Sequence, residues 1–116
     1  MKLWIDDVRP APEGYIWVRS VNEAKDIITR LEGSKKSALE NNNRVLYMAM
    51  MSDFPELNID HDAGGYIGDG GDYIKLLDWL EQVDLGKYFT FHIHSQNPVG
   101  VENMRRIIKR NGWKEI

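Results

Sequence analysis

The sequence contains no cysteine. Disulfides, thiolate metal sites, zinc fingers, iron–sulfur clusters and cysteine nucleophiles are thereby excluded. No apolar run approaches the ~20 residues that a membrane-spanning helix needs. A signal-peptide core is missing too, because Lys2-Leu3-Trp4-Ile5 meets Asp6-Asp7 at once. These absences lead to the expectation of a cytoplasmic, membrane-free protein. An excess of basic charge is also lacking: 15 Lys+Arg stand against 18 Asp+Glu, a net charge of −3. That excludes a protein that grips nucleic acid through bulk charge. Neither a P-loop nor a full Gly-x-Gly-x-x-Gly after a strand is present, and no repeat or low-complexity tract appears.

What is there fits one domain over residues 1–116, with 42% hydrophobic residues to build a core. Charge is unevenly spread. Residues 53–84 are strongly acidic, with Lys75 as their single basic residue, whereas residues 85–116 are basic, with Glu102 and Glu115 as their acids. The densest glycines, Gly64-Gly65, Gly68 and Gly70-Gly71, fall inside the acidic stretch.

Lys2–Asp6 reads as a short buried strand ending in acid, and Tyr15–Arg19 as a second strand, aromatic and β-branched. Pro10, Pro12 and Gly14 break the chain between them. Ser20 with Glu23 makes a capping box for a helix striped by Val21, Ala24, Ile28 and Leu31, which Gly33 should stop. Residues 34–43 are polar and read as loop, with a helical turn as the alternative. Val45–Met51 is apolar throughout, and periodicity does not decide between strand and helix. Leu57–Asp60 is a strand that again ends in acid. Asp72 is placed to cap a helix with the inner stripe Tyr73, Leu76, Leu77, Leu80 and Val83, terminated by Gly86. Tyr88–His94 alternates as a strand. Asn97-Pro98 suits an N-cap with proline at the first helical position; Val101, Met104 and Ile108 stripe the helix that follows. Gly112 ends it, and Trp113–Ile116 reads as a small edge strand.

Strands alternating with amphipathic helices predict a mainly parallel sheet covered by helices. Ligands then sit outside the carboxyl ends of the strands. That rule gathers Asp6-Asp7-Val8-Arg9, Asp60-His61-Asp62 and His94-Ser95-Gln96-Asn97 at one edge. Adjacent carboxylates repel unless a cation lies between them. Mg²⁺ takes few carboxylates and keeps waters, so Asp6 and Asp7 with one more acid would suffice. Solvated acids with an Arg9 ion pair are the alternative. His61 stands between two acids, which favours imidazolium and so a general acid, or a metal ligand oriented by a carboxylate. A loop histidine with local hydrogen bonds is the plainer reading. His92 and His94 share one side of their strand. His94, nearest the carboxyl end, is the site candidate, and His92 is expected to be a satisfied core histidine. The helix N-terminus after Ser95 offers N–H groups and partial positive charge to an anion. Trp4, Trp17, Trp79 and Trp113 read as packing residues.

Taken together, Ile5-Asp6-Asp7-Val8-Arg9, Ile59-Asp60-His61-Asp62 and His94-Ser95-x-Asn97-Pro98-x-Gly100-x-x-Asn103-Met104 resemble the cyclic-phosphate processing receiver-like domains. The resemblance spans residue 2 to about 112. It implies an α/β fold of the receiver/flavodoxin-like kind, a three-layer sandwich around a mainly parallel central sheet. It also implies a phosphoesterase-like enzyme acting on cyclic or terminal phosphates of nucleotides or RNA ends. On that reading His61, His94 and Asp62 are catalytic, with His61 the acid and His94, neutral through partial burial, the base. Arg9, Ser95, Asn97, Gly100 and Asn103 bind the substrate, and Asp6, Asp7 and Asp60 hold Mg²⁺ or Mn²⁺. Asp6-Asp7, Asp60 and Ser95 occupy places like those of ordinary receivers' acidic pair, phosphoacceptor and hydroxyl residue. A fifth-strand lysine is not evident, since Lys114 sits in a terminal stub. The rival reading is a non-catalytic receiver-like module that binds a nucleotide or a protein partner.

Overall fold

A computed structural model of the chain describes residues 1–40 and 55–116. Five parallel strands form one sheet in the order β2-β1-β3-β4-β5. They are β1 (Lys2–Ile5), β2 (Ile16–Val18), β3 (Glu56–Ile59), β4 (Thr90–Ile93) and β5 (Lys114–Glu115). The described helices are α1 (Val21–Glu40), α2 (Ile74–Gln82) and α3 (Pro98–Arg110). The expected parallel α/β architecture of receiver/flavodoxin type is the one observed.

Alternation along each strand sorts the two faces of the sheet. Leu3, Ile5, Leu57, Ile59, Phe91 and Ile93 are buried in one core with Val21, Ala24 and Ile28 of α1, Leu76, Leu77 and Leu80 of α2, and Met104, Ile107 and Ile108 of α3. All three described helices therefore cover this face. Trp4, Asn58, His92 and His94 alternate with those residues and belong to the opposite face. There the β1–β2 connection, residues 6–15, packs as the described part of the other outer layer. Trp4 Nε1 donates to the Arg9 carbonyl at 2.9 Å, and the Trp4 and Tyr15 rings meet edge to face. Parallel strands are usually joined through a helix. Here a proline-containing loop makes the crossover.

Several helix boundaries differ from the sequence expectation. One arm of the capping box forms, Ser20 Oγ accepting the Glu23 N–H, while the Glu23 carboxylate accepts the N–H of Arg19 rather than that of Ser20. Gly33, however, does not stop α1, which runs on to Glu40 through the stretch expected to be loop. A lone glycine costs a helix about 1 kcal/mol, which a long helix absorbs. Asp72 does not cap α2: its carboxylate accepts the Ala63 N–H instead, and Tyr73 takes the N-cap position. The end of α2 is set by Asp84, at φ 56°, rather than by Gly86. Val83 points outward, 41% exposed. Gly86 has a packing role, since a Cβ there would lie 2.1 Å from the Trp113 ring. Asn97 caps α3 as expected, accepting the Gly100 N–H at 3.0 Å, and Gly112, at φ 67°, ends it. The edge strand near the C-terminus is β5, paired with β4. Val45–Met51 lies outside the described residues.

Candidate active site at the carboxyl edge of the sheet

In the 2-1-3-4-5 order, chain direction across the sheet reverses between β1 and β3, and the crevice above their carboxyl ends is where such sheets bind ligands. Asp6-Asp7 follow β1 and Asp60 follows β3, so all three acids stand at that crevice. One carboxylate oxygen from each lies within 4.8 Å of the others.

Asp6 is fully buried. Its Oδ1 accepts the Val8 N–H at 3.0 Å and the Arg9 N–H at 2.9 Å, closing the turn after β1. Its Oδ2 faces His94 Nε2 at 2.9 Å. Burial alone would raise the Asp6 pKa, but the two backbone donors and His94 together hold it below the ordinary carboxylate value. Asp7 moves the other way: burial, and then the charges of Asp6 and Asp60, push its carboxyl up. Gly64 lies against it, and a Cβ there would come 2.1 Å from Asp7 Oδ2. The field of the acids reaches Tyr73 beneath them, whose phenol is pushed up by burial and then by Asp7, Asp6 and Asp60.

Three carboxylates offering only oxygen suit a hard divalent cation such as Mg²⁺ or Mn²⁺. The raised Asp7 carboxyl reflects burial first and then repulsion from Asp6 and Asp60, and such a cation would relieve the repulsion. The donor set therefore fits the expected metal.

His94 ends β4 within this cluster. Its Nδ1 lies 2.6 Å from Asn58 Oδ1, and its ring stacks on Trp4 at 3.9 Å between centroids. Burial pushes its pKa down, while the hydrogen bond and charge of Asp6 pull it up; the net direction is downward. The bonding geometry opposes that direction, because an oxygen faces each ring nitrogen and each calls for an N–H. Both nitrogens are engaged, which leaves neither open to take a proton from water. The other strand histidine, His92, is exposed rather than in the core, and its Nδ1 bonds the Ile116 carbonyl at 3.0 Å.

His61 is positioned by the loop after β3 and by α3. Asp60 Oδ1 accepts the His61 backbone N–H at 2.8 Å, so of its two acidic neighbours only Asp62 faces the ring, at 2.9 Å from Nδ1. Asn97 Nδ2 reaches the same nitrogen at 3.4 Å, too long to compete. With a carboxylate at Nδ1, that nitrogen carries the hydrogen and Nε2 is left for exchange. The ring rests on Gly100, where a Cβ would lie 2.4 Å from His61 Cγ.

The other expected binding residues are partly consumed by local structure. The Arg9 guanidinium reaches the His94 carbonyl at 3.3 Å rather than pairing with the acids. Ser95 Oγ accepts the Asn97 N–H at 3.1 Å. Together with the Asn97 cap, this occupies two of the amides counted on for an anion. Asn103 lies in the second turn of α3, where its Oδ1 accepts from Arg106 at 3.3 Å. Sequence reasoning missed Asn58 and Trp4 as parts of the site. Asn58 left a signal, a lone amide between Leu57 and Ile59 in a strand.

A parallel 2-1-3-4-5 sheet with an acidic pair after β1 and a third aspartate after β3 defines a receiver-type domain. The family model of the cyclic-phosphate processing receiver domain matches residues 1–110, and the chain belongs to that family. No curated protein and no solved structure matches it.

Proposed function

We propose that this domain hydrolyses a cyclic phosphate ester of a nucleotide or an RNA end to the phosphomonoester. The observation that carries the reading is the meeting of the Asp6–Asp7–Asp60 cluster with two differently held histidines at one sheet edge. A switch built on a phosphorylated aspartate needs neither histidine.

Asp6, Asp7 and Asp60 would hold the divalent cation, which when bound supplies positive charge to neutralise phosphate oxygens. The rest falls to the chain itself. Water attacks phosphorus, and the bond from phosphorus to one ribose oxygen breaks. That oxygen takes a proton from His61, which regains one from solvent as the water's proton departs. Asp62 fixes the His61 ring through Nδ1, leaving Nε2 to make the transfer. His94, with both nitrogens held, serves as a fixed partner of Asp6 rather than as the base. Arg9 and, at the start of α3, the N–H of Val99, which neither Ser95 nor Asn97 occupies, would supply donors at the rim for the phosphate.

The test is turnover of a panel of 2′,3′-cyclic, 3′,5′-cyclic and linear nucleotides, with and without Mg²⁺ or Mn²⁺. Hydrolysis of a cyclic ester is expected, reduced about 10²–10⁴-fold in His61→Ala. Full activity in His61→Ala would make that histidine structural. No turnover by the wild type would move the reading to a binding module.

A further inference from the structure

Asn58 is one of three buried polar side chains among the described residues, the others being Asp6 and Ser20. A buried amide in the middle of a strand is costly unless its donors and acceptors are matched. On one side Asn58 Oδ1 faces His94 Nδ1 at 2.6 Å. On the other, its amide faces the Tyr15 hydroxyl as a donor whose influence lowers the phenol pKa, and that hydroxyl meets the Glu56 carboxylate. His94 Nε2 then faces Asp6 Oδ2. The side chains thus line up as one polar chain across the sheet face opposite the helices, in the order Glu56, Tyr15, Asn58, His94, Asp6, hydrogen-bonded between Glu56 and Tyr15, Asn58 and His94, and His94 and Asp6.

The ends of this chain fix its direction. An ionised carboxylate only accepts, so the Tyr15 hydroxyl gives its hydrogen to Glu56. The Tyr15 oxygen is then the acceptor for the Asn58 NH₂. That turns Asn58 Oδ1 toward His94, where it accepts from Nδ1–H. At the far end Asp6 accepts from Nε2–H. Trp4, stacked 6° from parallel with the His94 ring, removes the remaining freedom of tilt. Because Asp6 Oδ1 is already held by Val8 and Arg9, this chain decides where Asp6 Oδ2 points.

We propose that Asn58, oriented by Tyr15 and Glu56, is a positioning residue that locks His94 and through it the Asp6 carboxylate of the acidic cluster. The role rests on the functional reading above only for its catalytic consequence. The geometry stands without it.

The test uses the full chain with ¹⁵N-labelled histidine and two readouts: the side-chain N–H signals of His94, and the affinity for Mn²⁺ alone by calorimetry. Wild-type His94 should show a slowly exchanging Nδ1–H signal, identified by its loss in His94→Gln. Asn58→Leu removes the acceptor and should abolish that signal and weaken Mn²⁺ binding about 10-fold, the size seen when partners behind a metal ligand are lost. Asn58→Asp keeps an acceptor and should keep the signal. An unchanged signal in Asn58→Leu, or equal loss in the Leu and Asp variants, would overturn the proposal. If Asn58→Leu does not fold, Tyr15→Phe decides: it frees the amide to turn and should weaken the same signal, and an unaltered signal counts against the lock. Neither readout depends on turnover. A chain that hydrolyses nothing but keeps these responses loses the enzymatic reading and retains the positioning role.

Discussion

At the scale of single residues, the site depends on close approaches that only glycine permits. Gly100 sits in the first turn of α3 with the His61 ring directly upon it. Alanine there would favour the helix by up to about 1 kcal/mol, while its methyl would push the ring away. Gly100→Ala is therefore expected to lower kcat substantially with little change in Tm. In the double variant with His61→Ala no further loss should appear, because both changes act on one side chain. A double-mutant cycle on a hydrolysed cyclic ester measures this, and independent, additive losses would show that Gly100 acts elsewhere.

Among the elements, α2 and α3 are joined outside the core by a charged clamp. Glu81 accepts from Arg110 Nε at 2.9 Å and Nη2 at 2.8 Å, a two-point contact, and Asn111 donates to the same carboxylate. These hydrogen bonds hold the Glu81 pKa down at about 2 against an ordinary 4.5. A carboxylate depressed in the folded state stabilises it above the unfolded pKa and loses that effect as pH falls through the folded one. The clamp should thus act fully above about pH 4.5 and fade toward pH 2. Thermal melts of wild type and Glu81→Gln should differ at neutral pH and converge across that window. A constant gap would assign the difference to packing. Because the clamp is exposed, its effect is expected to be small.

For the whole molecule, the unequal charge becomes intelligible once folded. Acids distant in sequence converge at the switch point of the sheet, and His94 is the charged-capable group hydrogen-bonded to Asp6 there. A divalent cation that binds the folded cluster and not the unfolded chain stabilises by mass action, about 2.7 kcal/mol at a hundredfold excess over Kd. Mg²⁺ or Mn²⁺ should therefore raise Tm by several degrees in a domain of this size, and Asp6→Asn should remove most of the rise. The same shift from equal ionic strength of NaCl would mean screening of repulsion rather than binding.

The residues of the sheet and of the amphipathic helices were legible in the sequence because periodicity reports burial directly. The run Lys2–Ile5, the stripe from Leu76 to Leu80 and the Asn97-Pro98 start of α3 each carry their own local cause. So does the placement of Asp6, Asp60 and His94 at one edge, since parallel strands all end on the same side. Stops were less legible: Gly33 and Gly86 look alike in sequence, yet one continues a helix and the other makes room for Trp113, because neither has the positive φ that ends a helix. The bonding within the site was decided only by tertiary structure. Whether His94 has a free nitrogen, and that Asn58 and Tyr15 stand behind it, depend on register between segments 36 or more residues apart, whereas the Asp62–His61 contact joins neighbours in the chain. Register is set by the packing of the whole sheet, and no local pattern encodes it.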